Sequence, residues 1–297
     1  MNTEDEAVVL EFHIWDVFTD RAFSGNPLAI VTGADGLSAE QMQVLARQFN
    51  LSETIFVMAP RDPAHAARVR IFLPTAEIPF AGHPTIGCAL HLAGGRDGRF
   101  VLEEQAGPVP VKIADGVAEF VAPVLPVAHP GRADPDLIAR ALDLDPVAIG
   151  FGGHRPQIWQ GGPAFLYVPL RGSADLRAAR PVEPSWSQAM EAAQVFGAYL
   201  YTPDEDGYRA RMFAPGAGIP EDPATGAASA ILAAQLLASG AIGPGVTRID
   251  LRQGIEMGRP SRIGMAAVVE NGKLREIRVR GRAVPVAQGR IAIPEDR

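Results

Sequence analysis

The stretch Arg68-Val-Arg-Ile-Phe-Leu-Pro-Thr-Ala-Glu-Ile-Pro79 returns 141 positions later as Arg209-Ala-Arg-Met-Phe-Ala-Pro-Gly-Ala-Gly-Ile-Pro220. Seven of the twelve positions are identical: Arg68/Arg209, Arg70/Arg211, Phe72/Phe213, Pro74/Pro215, Ala76/Ala217, Ile78/Ile219 and Pro79/Pro220. From Arg68 to Leu73 charged and apolar residues alternate, the period of a half-exposed strand. Chance spacing does not readily give such a match, and the chain reads as one fold unit used twice. The residues directly after each copy keep a common outline and differ in chemistry: Phe80-Ala-Gly-His-Pro-Thr-Ile-Gly87 after the first, Glu221-Asp-Pro-Ala-Thr-Gly-Ala-Ala228 after the second.

Outward from these copies the same order of elements is expected in both halves. In the first, Val8 to Phe18 and Leu28 to Val31 are strand patterns. Ser38-Ala-Glu-Gln41 is a capping box opening a helix to about Phe49, and Leu51 to Val57 leads into a strand. Thr85 to Leu92 is a short apolar helix stopped by Gly94-Gly95. In the second, Gly162 to Val168 echoes Asn26 to Val31, Ser185 to Phe196 is a helix, Ala198 to Tyr201 a strand, and Thr225 to Leu237 a helix stopped by Gly240. The Pro-rich Ala122 to Pro130 is the natural boundary, giving domains 1–122 and 123–297 with a last strand that can pair back with the first domain. Tail strands are expected around Arg248–Leu251, Arg262–Val269, Glu276–Arg280 and Arg290–Ile293.

At 297 residues, 47% hydrophobic and 21% charged, the composition is that of a globular protein of two domains. No apolar run spans a membrane, and the acidic start Met1 to Glu6 lacks an export signal, so a cytoplasmic location is the expectation. A net charge of −7 argues against broad nucleic-acid binding. The Arg-rich tail, with Arg275, Arg278, Arg280 and Arg282 interleaved with strand residues, reads as a solvated strand face. Cys88 is the only cysteine, which removes a disulfide framework and a cysteine zinc site. The six histidines show no His-Glu-x-x-His spacing, so no metal is expected. Phosphate-loop, dinucleotide and nucleophile-elbow motifs are absent.

Chemistry concentrates at the two turns after the repeat. In each, a strand ends and a helix begins near a threonine, Thr85 or Thr225, whose hydroxyl can cap it. A helix N-terminus presents free N–H groups and partial positive charge to an anion. His83 lies in the first turn and Asp222 in the second. Glu53, just ahead of Ile55-Phe-Val57, is placed where burial would favour general acid–base work.

Five motifs in order carry a resemblance over nearly the whole chain: Gly25 to Val31, Leu51 to Val57, Glu77 to Gly87, Glu221 to Gly226 and Gln253 to Ser261. Together they resemble the phenazine-biosynthesis (PhzF-like) isomerase family. The resemblance implies an α+β fold of diaminopimelate-epimerase type: two pseudo-symmetric domains, each a curved sheet around a central helix, with the active site in the interdomain cleft. It implies a homodimer and a cofactor-independent, metal-free isomerisation of a small carboxylate metabolite. By position, the acid–base glutamate is Glu53, with His83 and Asp222 beside it. Asn26, Gly82, Thr225, Gly226 and Ala227 are the implied substrate contacts.

Two departures bear on the reaction. Family members commonly have serine where this chain has Ala227. The related two-thiol racemases carry cysteines at positions matched here to Ala81 and Asp222, and Cys88 reads as a buried apolar residue. The leading expectation is an isomerase shuttling a proton through Glu53. Alternatives are an epimerase with Glu53 and Asp222 as opposed bases, or a catalytically weak binding protein of the same fold.

Overall fold

The computed structural model describes residues 9–295, which form two compact units, one of residues 9–118 and 282–295 and the other of residues 119–281. The first unit runs β1 (Val9–Val17), β2 (Asn26–Thr32), α1 (Ala39–Phe49), β3 (Glu53–Met58), β4 (Ala67–Phe72), β5 (Glu77–Ile78), α2 (Gly82–Ala93), β6 (Gly98–Glu104) and β7 (Gly107–Ala114). The second follows with β8 (Val117–Val121) at the junction, then β9 (Val127–Ala128), α3 (Pro135–Ala141), β10 (Gln157–Gln160), β11 (Ala164–Pro169), α4 (Ser173–Ala178) and α5 (Ser185–Ala193). It continues through β12 (Ala198–Asp204), β13 (Gly207–Ala214), β14 (Ile219–Asp222), α6 (Gly226–Ala238), β15 (Gly245–Gln253), β16 (Ser261–Glu270) and β17 (Lys273–Gly281). β18 (Ala283–Ala292) returns to the first unit and pairs antiparallel with β1.

The duplication is topological. In the first unit β1 pairs antiparallel with β2, β2 parallel with β3, β3 antiparallel with β4, β4 parallel with β6, and β6 antiparallel with β7. The second repeats this with β10, β11, β12, β13, β15 and β16. Each parallel step is bridged by a helix, as a parallel connection requires. β5 and β14 are the short strands that bend the chain from the repeated strand into the central helix.

The repeated Arg-x-Arg-x-Phe does the same work in both units. Arg70 donates through Nε and Nη2 to Glu77 at 2.7 and 2.6 Å, and Arg211 donates likewise to Glu221 at 2.8 and 2.9 Å. Each guanidinium also lies over the following phenylalanine, Arg70 on Phe72 at 5.2 Å and Arg211 on Phe213 at 4.6 Å. These forks correct the sequence register. Glu77 matches Glu221 rather than Gly218, because a 3-10 turn, Pro215–Ala217, lengthens the second copy by three residues. The match of Ala76, Ile78 and Pro79 with Ala217, Ile219 and Pro220 is therefore one of letters, not of position. From Glu77 onward the true offset is 144: Glu77/Glu221, Pro79/Pro223, Gly82/Gly226. Ala81 then matches Thr225, not Asp222, and both lack a thiol.

α2 and α6 are apolar on nearly every side, with ten of twelve and ten of thirteen residues buried, as a helix enclosed by its own sheet must be. β1, β2, β3, β6, β7 and β18 all pack on α2, and β10, β11, β16 and β17 on α6. Gly87 permits this closeness: a Cβ there would stand 2.6 Å from Leu28 and 2.8 Å from Val17. The other face of the first sheet is covered by α1, whose Met42 and Leu45 join Phe56 and Phe72 in one core. Burying each such side chain contributes roughly 1.5–3 kcal/mol. α1 starts with the expected capping box, Ser38 accepting from Gln41 N–H and Gln41 Oε1 accepting from Ser38 N–H.

Two local expectations fail. α2 begins at Gly82, three residues before Thr85, with an extended Ala81 as N-cap and no side-chain cap. Thr225 does occupy the N-cap of α6, but its hydroxyl turns away to Asp222. The tail arginines find carboxylates on neighbouring strands: Arg252 with Asp204 at 2.7 Å and Arg280 with Asp250 at 3.6 Å. Among the described residues no helix is long and apolar enough to cross a membrane.

Candidate active site

In the first unit, Glu53 is the opening residue of β3, opposite Leu28 of β2. His83 is the second residue of α2, and its side chain is buried. Strand start and helix start meet at one end of the sheet, so His83 Nδ1 comes to 2.9 Å from Glu53 Oε2. The ring's other nitrogen, Nε2, is buried without a hydrogen-bond partner. A buried polar atom of that kind asks for a ligand, because leaving it empty costs about 1–3 kcal/mol. Glu53 keeps 15% of its side chain exposed. Asn26, at the start of β2, and Gly82, the first residue of α2, are both buried close by in the topology.

In the second unit, Asp222 ends β14 and is 6% exposed. Thr225 donates to Asp222 Oδ2 at 2.5 Å and accepts from Gln253 Nε2 at 2.9 Å. The same Gln253 amide donates to the Asp222 carbonyl at 2.7 Å and accepts from Thr225 N–H at 3.2 Å. Every proton in this chain of bonds has one direction, with the Asp222 carboxylate as the final acceptor. Gly226 is buried at the first helical position and Ala227 is half-buried at the second.

Gln253 was not among the expected site residues, although it opens one of the five motifs. Its amide locks the turn before α6, and Gly254 lets it do so. At φ +73 a Cβ on Gly254 would lie 2.7 Å from Pro223 O and 2.5 Å from Arg259 O. Glu104 is the other residue the sequence left unmarked. It is buried on β6, with Oε1 2.7 Å from Thr85 Oγ1, and burial pushes it up to about 8. Its neighbour Glu103 goes the other way, held down at about 2 by the N–H groups of Asp62 and Arg61 and by His65. Cys88 is fully buried and its thiol is pushed up by that burial. Among the described residues no cluster of three metal-ligating side chains occurs.

A duplicated α+β unit, each with its sheet packed on an apolar central helix, is the epimerase-like fold class. The family described as phenazine biosynthesis-like protein matches residues 15–289. The chain is 42% identical over 298 residues to a protein from Mesorhizobium japonicum described as an uncharacterised isomerase, covering 94% of this chain and 98% of that one. It is 34% identical to the trans-2,3-dihydro-3-hydroxyanthranilate isomerase of Pseudomonas chlororaphis, again over 94% and 98%. The crystal structure of a PhzF-family phenazine biosynthesis protein from Bacillus anthracis superposes with a TM-score of 0.85 at 23% identity, over 96% and 100% of the two chains. The chain belongs to the phenazine biosynthesis-like family, and it is a PhzF-like isomerase.

Proposed function

We propose that the enzyme moves a proton within a small carboxylated metabolite, without a cofactor, using Glu53 as the general acid–base. The carrying observation is the Glu53–His83 pair with its buried, unpartnered Nε2. His83 engages one Glu53 oxygen and leaves the other to reach the substrate. That oxygen takes a proton from a carbon next to the carboxylate or an enamine, and the electron pair left behind spreads into the conjugated system. The N–H groups at the start of α2 stabilise the charge as it develops, without having to reorganise. Glu53 then returns the proton to another carbon on the same face. Asn26, Gly82, Asp222, Thr225, Gly226 and Ala227 are the further proposed substrate contacts.

A one-sided transfer is favoured over opposed bases because Asp222 already accepts the Thr225 proton at 2.5 Å and serves best as a fixed carboxylate. The 34% identity to the Pseudomonas chlororaphis isomerase supports trans-2,3-dihydro-3-hydroxyanthranilate as the first substrate to try. In deuterium oxide the product should carry deuterium at the new C–H to the extent that the proton on Glu53 exchanges before its return, and Glu53→Gln should lower turnover and label together. Full turnover by Glu53→Gln would remove Glu53 from the mechanism. Ala227, where the family commonly has serine, motivates the second reading, a binding protein with little catalysis. Tight binding of the same compound with no exchange in the wild type would establish it.

A further inference from the structure

With the corrected register, the fourth residue of each central helix is a buried hydroxyl, Thr85 in α2 and Ser229 in α6. Each sits against the carbonyl of its own N-cap: Thr85 Oγ1 is 2.7 Å from Ala81 O, and Ser229 Oγ is 2.9 Å from Thr225 O. Each has one more neighbour. For Ser229 it is the Tyr199 hydroxyl at 3.2 Å, and for Thr85 it is Glu104 Oε1 at 2.7 Å. A hydroxyl carries a single proton, and a carbonyl can only accept. If the helix hydroxyl of α2 gives its proton to the N-cap carbonyl, as Ser229 of α6 does, the second neighbour has to be the donor. Tyr199, whose hydroxyl burial keeps protonated, fills that station directly. Glu104 fills it only while its carboxyl holds a proton. The other carboxyl oxygen, Oε2, is buried with no hydrogen-bond partner, a position a neutral C=O tolerates far better than a carboxylate does.

We propose that Glu104 is a positioning residue working as a protonated carboxyl, donating to Thr85 so that Thr85 holds the Ala81 carbonyl and fixes the turn that carries His83. When that proton is lost, the Thr85 hydroxyl turns to the carboxylate and the N-cap carbonyl loses its side-chain donor. Burial raises the Glu104 pKa to about 8, with the Thr85 contact acting in the opposite sense, so the change of state falls in the mildly alkaline range.

Few other charges share this side of the sheet. Cys88 on α2 is held protonated by burial, with Glu104 adding to the effect. Glu53 of β3 is tied to His83, and His13 of β1 lies 4.4 Å from His91, whose pKa burial lowers to about 4 with His13 adding to the effect. Glu11 of β1 and Arg290 of β18 pair across these strands away from the Val17 end where α2 starts. By strand alternation Glu103, Arg68 and Arg70 face the opposite side, where Glu103 meets His65 and Arg70 meets Glu77. Lys112 of β7 is exposed.

The importance of His83 rests on the function proposed above; the proton count does not. The test is a pH titration by NMR of protein carrying carbon-13 in its glutamate carboxyls and nitrogen-15 throughout. The Glu104 signal is assigned by its loss in Glu104→Gln. The expected result is a Glu104 midpoint within about one unit of pH 8, with a step at the same midpoint in the His83 ring and the Gly82–Thr85 amides. Glu104→Gln, whose amide is a permanent donor, should keep the turn and lose that step. Glu104→Asp, too short to reach Thr85, gives the same assignment and loses the step if the glutamine variant does not fold. A Glu104 midpoint near the ordinary 4.5, or one near 8 with no step at His83, overturns the proposal. Neither readout involves turnover, so a failure of the proposed isomerisation leaves this test intact.

Discussion

Glu53 and Gly197 hold the same station in the two units: each directly precedes the residue that pairs with the repeated phenylalanine, Thr54 with Phe72 and Ala198 with Phe213. His83 and Ala227 share a station too, the second residue of the central helix. The frame is duplicated while the carboxyl–imidazole pair occurs in one copy, where a two-base racemase would need matched groups. Because the second unit builds the same station with glycine, the frame does not depend on the Glu53 carboxyl. Glu53→Gln should therefore lower kcat by about a hundred- to ten-thousand-fold, the usual worth of a positioned proton transfer. Its melting temperature should stay close to wild type, as calorimetry would show.

Gln253→Leu should act on structure first. The leucine removes both donors and the acceptor of a residue that is 0% exposed, taking the acceptor from Thr225 N–H and the amide donor from the Asp222 carbonyl and Thr225 Oγ1. Each buried orphan costs about 1–3 kcal/mol, so chemical denaturation should report a loss of roughly 2–4 kcal/mol. Substrate KM should rise with it, because Thr225 no longer aims its hydroxyl at Asp222.

The duplicated frame was legible because Arg-x-Phe recurs where a guanidinium must both lie on a ring and fork to a glutamate. The register beyond Pro74 was not, since the inserted turn Pro215–Ala217 happens to preserve letters while shifting positions. Glu53 and His83 could be found because each stands beside a turn signal. Gln253 could not: it lies 28 residues from Thr225 and reaches it only after β15 joins β13 in parallel. Glu103 and Glu104 are adjacent acids on one strand, and nothing in the sequence states that one faces backbone N–H groups and the other an apolar helix. Burial raises the one, and backbone N–H groups with His65 lower the other.

Glu104 also makes stability depend on pH. Its folded pKa is raised to about 8 from an ordinary 4.5, so between those values the unfolded chain releases a proton that the folded chain keeps. The folded state then binds more protons, and its stability falls as pH rises, by up to about 1.4 kcal/mol per unit. Glu104→Gln removes this term. The variant should match wild type near pH 4 and become progressively more stable relative to it up to pH 8, with no further gain above. Urea unfolding at several pH values measures the difference directly; a constant gap across that window would contradict the assignment.

Gly254→Ala and Gly258→Ala separate backbone strain from close packing. Both glycines have positive φ, +73 and +71, which a Cβ disfavours by roughly 1 kcal/mol. Around Gly258 nothing lies within 4 Å of the added methyl, whereas at Gly254 it would stand 2.5 Å from Arg259 O and 2.7 Å from Pro223 O. Neither oxygen can retreat by rotating a side chain, because both belong to the backbone. Gly258→Ala should therefore lose about 1 kcal/mol in urea unfolding and keep full activity. Gly254→Ala should lose more than twice that. Pro223 is also the residue next to Asp222, so pushing it aside displaces the carboxylate from Thr225, and KM should rise in Gly254→Ala while remaining unchanged in Gly258→Ala.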